Sequence, residues 1–131
     1  MNFFIKQNST LPELKFPLTQ KIMEKYSITK DMLENVAVTF SMTDAETGLY
    51  KIANTTADIV FNNELPEYPY EEPYTLVYRF KLRDTNKAGR FEGEFKIDFI
   101  FPENYCGKLT LPSDYDVINI IISPSITKTS V

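Results

Sequence analysis

The sequence predicts an all-β domain: an antiparallel β-sandwich of immunoglobulin-like general form, with about seven or eight strands and at most one short helical turn. Three observations carry that expectation. Apolar side chains recur at every second position in several segments, turn signals separate those segments at regular spacing, and no segment keeps a helical stripe. The 131 residues include ten Phe and eight Tyr. Residues 1–131 therefore read as a single domain with material for a core and no need of covalent staples.

In chain order, FFIK near the start is a short strand candidate. ELKFPLT places Leu14, Phe16 and Leu18 on one side, and Pro17 points to an edge strand because proline cannot donate to a ladder. Residues 21–35 offer only one helical turn, capped by Thr29 and containing Asp31 and Glu34. VAVTFSM directs Val36, Val38, Phe40 and Met42 inward. After turn signals at 44–48, ADIVFN groups Ala57, Ile59 and Phe61.

Segment 63–73, NELPEYPYEEP, breaks the pattern. Its prolines hold the chain extended and its glutamates keep it solvated, so it reads as an exposed loop. The loop is either a plain connector or a docking element whose Tyr68 and Tyr70 meet another protein, since tyrosine is enriched at such contacts.

Two strands of strong alternation follow. YTLVYRFKLR places Tyr74, Leu76, Tyr78, Phe80 and Leu82 on one face, with Val77 as the exception. FEGEFKIDFIF alternates Phe91, Phe95, Ile97, Phe99 and Phe101 with Glu92, Glu94, Lys96 and Asp98. Both read as half-buried.

Between them, Asp84, Asn86 and Gly89 match positions one, three and six of a calcium loop. Ala88 stands where a fifth-position oxygen is required and Phe95 where the bidentate glutamate belongs, so calcium binding is rejected. The expectation is a hairpin loop in which Asp84 and Thr85 bond the backbone and Gly89 takes a positive φ. Gly93 then marks a bulge or the close approach of another backbone.

KLTL (108–111) is a further short strand, with turns at 102–107 and 112–114. VINIIIS (117–123) is apolar on both faces, as suits a central strand or one covered by a partner. Ile118, Ile120 and Ile122, or the opposite set Val117 and Ile121, are therefore candidates for an association surface. The small polar residues of 124–131 read as a loose end or a link.

Composition narrows the function classes. Fourteen basic and eighteen acidic residues give a net charge of −4, which does not suit a nucleic-acid binder. No apolar run approaches a membrane span. With no histidine and one cysteine, Cys106, there is no Ser-His or Cys-His pair, no internal disulfide and no cysteine zinc site. Carboxylates pair at 71–72, at Glu92 with Glu94 and at Asp114 with Asp116, yet glycosidase chemistry needs two carboxyls about 5–10 Å apart across a cleft, and none is predicted. No catalytic residue, cofactor or metal is expected.

A resemblance adds to this reading. Tyr78-Arg79-Phe80, Asp84-Thr85, Gly89-Arg90-Phe91, Phe95, Leu111-Pro112 and Ile118-Asn119-Ile120 occur in an order that resembles the N-terminal domain of the phage baseplate upper protein family. Upstream, Leu14-Lys15-Phe16, Asp31-Met32-Leu33 and Val36 to Phe40 extend it over roughly residues 10–123. The resemblance implies a non-enzymatic assembly module of a tailed-phage virion, a connector or anchor at a tail, baseplate or head-fibre attachment. Its implied partners are other virion proteins and copies of itself, as a trimer or ring, assembled in the host cytoplasm. The alternative is a carbohydrate-binding sandwich with tyrosines 68, 70, 74 and 105 as platforms, although the chain has no tryptophan.

Overall fold

The computed structural model describes residues 1–61, 74–100, 107–113 and 116–126. They form two β-sheets packed face to face, with nine strands among them. The larger sheet contains β1 (Asn2–Lys6), β3 (Val36–Asp44), β4 (Tyr50–Thr56), β7 (Gly89–Phe99), β8 (Gly107–Leu111) and β9 (Ile118–Ser123), ordered β1-β9-β7-β3-β4. β7 is the long strand. One of its edges pairs with β3 throughout, while the other is shared between β9 at Gly89 to Gly93 and β8 at Phe95 to Phe99. β1 joins β9 in parallel. The smaller sheet is β2 (Leu14–Leu18), β6 (Tyr74–Tyr78) and β5 (Asp58–Phe61), antiparallel, in the order β2-β6-β5. Pro17 sits in β2, an edge strand, where its missing N–H costs no ladder bond.

The core lies between the sheets. Phe40 of β3 stacks on Tyr78 of β6 at 4.5 Å, and Phe16 of β2 meets Phe95 of β7 at 6.1 Å. The inward register read from the sequence holds for β2, β3 and β7: Leu14, Phe16, Leu18, Val38, Phe40, Met42, Phe91, Phe95, Ile97 and Phe99 are buried. Gly93 occupies an inward position of β7, and a Cβ there would lie 2.7 Å from Phe40 Cζ and 2.8 Å from Ile120 Cδ1. The glycine makes room for side chains, where the sequence suggested a bulge or another backbone.

Three expectations are corrected. Two short helices replace the single turn: α1 (Gln20–Lys25), capped by Thr19, whose Oγ1 accepts from Ile22 N, and α2 (Lys30–Leu33), capped by Thr29, whose Oγ1 accepts from Met32 N. They hold the crossing from β2 to β3 and bring Ile28, Met32 and Leu33 into the core. Next, β6 ends at Tyr78 and is buried at all five positions, including Thr75 and Val77, so it is not a half-buried strand. Finally, β6 and β7 are not a hairpin. They belong to different sheets, and 79–88 is a corner between them.

That corner explains the Asp-Thr pair. Asp84 Oδ2 accepts from the Tyr78 hydroxyl at 2.7 Å and from Lys81 N at 2.9 Å, within a single 3-10 turn at Leu82–Asp84. Thr85 Oγ1 donates to Ser9 O at 2.8 Å and Thr85 O accepts from Asn8 N at 2.9 Å, which ties the corner to the β1–β2 connection. Both residues are buried. The Asp84 carboxylate is thereby engaged in holding the fold. Gly89 takes a φ of +151°, a conformation that side chains disfavour, as it enters β7.

Candidate functional site

The outer face of the larger sheet follows from strand alternation. Every second residue of β9, β7, β3 and β4 points away from the core. Registers place Asn2, Asn119, Glu92, Thr43 and Tyr50 in one row across five strands. Next to it, Phe4, Ile121 and Arg90 form a second row. Phe4 is 64% exposed on β1, the edge strand of this sheet among the described residues, and Val117, just before β9, is 38% exposed.

The polar groups of this face are linked loosely. Asn119 Nδ2 donates to Asn2 Oδ1 at 3.2 Å, and Arg90 donates to Asn119 Oδ1 at 3.4 Å. Arg90 lies 3.8 Å from Glu92, and Lys108 lies 3.9 Å from Asp98. Such separations give Coulombic attraction without a well-formed hydrogen bond. Two shallow depressions follow one another along β7. The first, about 150 Å³, is lined by Ser41, Thr43, Tyr50, Glu92, Glu94 and Val117, with Gly93 at its floor. The second, about 430 Å³, is lined by Thr39, Asn54, Lys96, Asp98, Lys108 and Thr110. Ser41 and Asn54 connect them: the Asn54 N–H donates to Ser41 Oγ at 2.9 Å, where β4 carries a bulge and Asn54 a φ of +48°.

At the tip of the β3–β4 hairpin, Asp44 Oδ1 accepts from the N–H groups of Glu46 at 2.8 Å and Thr47 at 3.2 Å. Those backbone donors, aided by Lys87, hold the Asp44 carboxyl below its ordinary value. Leu49 and Tyr50 follow the turn, and Tyr50 is 63% exposed.

The candidate residues fall into three groups. Ile118, Ile120 and Ile122 are buried in the chain's own core, so none of the three is on the surface. β9 alternates, and the apolar side chains on the outer side are Ile121 within it and Val117 just before it, the other set that the sequence offers. Tyr68 and Tyr70 lie outside the described residues, as do Cys106, Asp114, Tyr105 and the 71–72 carboxylates. Glu92 and Glu94 share the outer face as their spacing required. Asp116 takes up the terminal ammonium of Met1 at 3.6 Å and caps Val117 N at 2.9 Å. Tyr74 is buried against Phe61, at 4.6 Å between rings, and offers no platform.

Tyr50 escaped sequence reasoning because β4 did. YKIANTT buries only Ile52, so it lacks the apolar alternation that marks a strand. The available signal was the turn at 44–48 followed by a β-former.

Among the described residues, no three acidic or sulfur side chains converge as a metal site would require, and no helix is long and apolar enough to cross a membrane. Comparison with protein-family models, curated proteins and solved structures brings out no match.

Proposed function

We propose that this chain is a non-enzymatic, immunoglobulin-like assembly domain of a tailed-phage virion, a connector or anchor that associates with copies of itself and with other virion proteins. The immunoglobulin-like reading is supported by strand order. The run β9-β7-β3-β4 opposite β2-β6-β5 follows the G-F-C-C′ and B-E-D order of a variable-type sandwich. The virion placement is supported by the motif order from Leu14 to Ile120.

Phe4 carries the association reading. A large ring 64% exposed on an edge strand, opposite Ile121, is a liability that a chain ordinarily blunts with charge or covers. Lys6 is the only charge within β1. Covering Phe4 and Ile121 with a neighbouring subunit buries that surface, and the outer edge of β1, which pairs with no further strand among the described residues, offers backbone groups to extend the sheet.

Light scattering on the purified chain tests the reading. The wild type is expected to be oligomeric and Phe4→Lys monomeric, with folding stability changed by no more than about 0.5 kcal/mol, as at other exposed sites. A monomeric wild type at high concentration would remove it. The genes beside the coding sequence test the virion placement: portal, capsid or fibre genes support it, and a metabolic operon refutes it.

A glycan-binding role is the second reading, favoured by the exposed Tyr50 at the end of the polar depressions.

A further inference from the structure

We propose that the two depressions along β7 form one trough that binds a neutral oligosaccharide. The inference develops the glycan reading and uses residues apart from Phe4 and Ile121, so it stands or falls separately from association. Three features carry it.

The first is the balance of the lining. Carboxylates of Glu92, Glu94 and Asp98 accept, ammoniums of Lys96 and Lys108 donate, and the threonine hydroxyls do both. The first depression carries only the acidic charges of Glu92 and Glu94 and the second a mixed set, Lys96 and Lys108 with Asp98, so the trough has no basic field to suit a polyanion such as nucleic acid. Of the lining side chains only Tyr50 and Val117 are large and apolar, and both stand at the first depression, so the trough is not an enclosed hydrophobic pocket. A chain of neutral hydroxyls matches a surface rich in both donors and acceptors.

The second is openness. The ion pairs of the face, Arg90 with Glu92 along β7 and Lys108 with Asp98 between β8 and β7, stand at 3.8 and 3.9 Å. Their groups retain directions for shorter hydrogen bonds, in the 2.7–3.2 Å range, to a ligand.

The third is Tyr50, whose exposed ring borders the first depression and offers an apolar plate for the C–H face of a sugar ring. From Glu92 to Asp98 the trough follows six residues of strand, about 20 Å at ~3.4 Å per residue. That length accommodates several linked rings and exceeds a single one.

The test is an array of bacterial and animal glycans probed with the purified chain, followed by calorimetric titration of the best-bound neutral glycan. Wild type, Tyr50→Ala, Asp98→Ala and Phe4→Lys are compared, with melting temperatures confirming that each is folded. The expected result is binding that weakens on the order of tenfold or more in Tyr50→Ala and Asp98→Ala. Phe4→Lys should bind as the wild type does, and raised salt should change little. Three results overturn the proposal: no neutral glycan bound, equal binding by all four proteins, or binding only of sulfated or sialylated glycans that salt abolishes. The last would make Lys96 and Lys108 an anion site. Loss of oligomers in Phe4→Lys with glycan binding intact would separate the two surfaces directly.

Discussion

The two faces of the larger sheet come from the same strands by the same alternation, and they obey different rules. On the inner face of β7 and β9, Phe91, Phe95, Ile118 and Ile120 have essentially no exposure, and even a methyl at Gly93 would collide with Phe40 and Ile120. On the outer face, Glu92, Glu94, Asn119 and Ile121 are half-buried, and their contacts are long. Interiors are close-packed, so a change of one carbon is felt there. The outer face meets water and tolerates replacement. Substitutions within should therefore cost stability, and substitutions without should cost little of it, their proposed cost being in binding or association.

Phe40→Ala probes the inner side most severely. Its ring contacts Tyr78, Phe80 and Phe95, at centroid distances of 4.5, 6.3 and 5.0 Å, and sits over Gly93. Truncation removes the transfer free energy and leaves a cavity, an expected loss of about 3–5 kcal/mol by denaturant melts. The Gly93 contact predicts coupling: Gly93→Ala should cost less in the Phe40→Ala chain than in the wild type, since its added carbon then meets Ile120 alone and not the ring. A double-mutant cycle in which the two effects merely add would show that the contact is not energetically coupled.

How far the sequence reveals this molecule depends on which kind of information is asked of it. Period-two alternation gives faces, and Leu14, Phe16, Val38, Phe40, Phe95 and Ile97 all point where their spacing required. Alternation does not give partners. Tyr74 to Tyr78 and Phe91 to Phe99 are adjacent in sequence and strongly patterned, which suggested a hairpin, yet Asp84 and Thr85 turn the chain across the sandwich. Nor does it decide burial on the second face: Val77 broke the pattern because β6 is buried on both sides. For the candidate site, VINIIIS announced two apolar faces without saying which is inward. The trough was hidden because its residues are scattered over four strands and because β4 is nearly all polar.

A second, smaller effect concerns the polar pair that reaches into the core. Tyr78→Phe keeps the ring against Phe40 and removes its bond to Asp84, leaving that carboxylate with Lys81 N as its partner among the described residues. A hydrogen bond to a charged group is worth about 1.5–3 kcal/mol, and the loss should appear at neutral pH. Burial first, and the bond to Asp84 second, push the Tyr78 phenol far above its ordinary value. The folded state therefore holds the neutral form. Its contribution is fully present below the unfolded value of about 10 and is lost as pH rises through the raised folded value. The wild type should lose stability above pH ~10 faster than Tyr78→Phe, so the gap between their melting temperatures narrows there. A gap that stays constant through that range would mean that Tyr78 does not stay neutral in the fold.

The smallest expected effect lies at the hairpin tip, on the outer side of the comparison. Asp44 Oδ1 receives two backbone N–H groups, and its carboxyl is held below the ordinary value of 3.8 chiefly by Glu46 N, then Thr47 N, with Lys87 contributing least. The sign is opposite to that of Tyr78. A depressed folded value gives stability that is present above the unfolded value and is lost as pH falls through the folded one. Asp44→Asn keeps an oxygen acceptor and removes the charge, so its melting temperature should lie slightly below that of the wild type at neutral pH and converge with it in acid. The turn is exposed, and salt should shrink the difference further by screening Lys87. A carboxyl titration by NMR locates the folded value directly. An Asp44 that titrates at or above 3.8 would show that the turn amides do not stabilise its charged form, and the outer rim of this sheet would then owe nothing to that residue's charge.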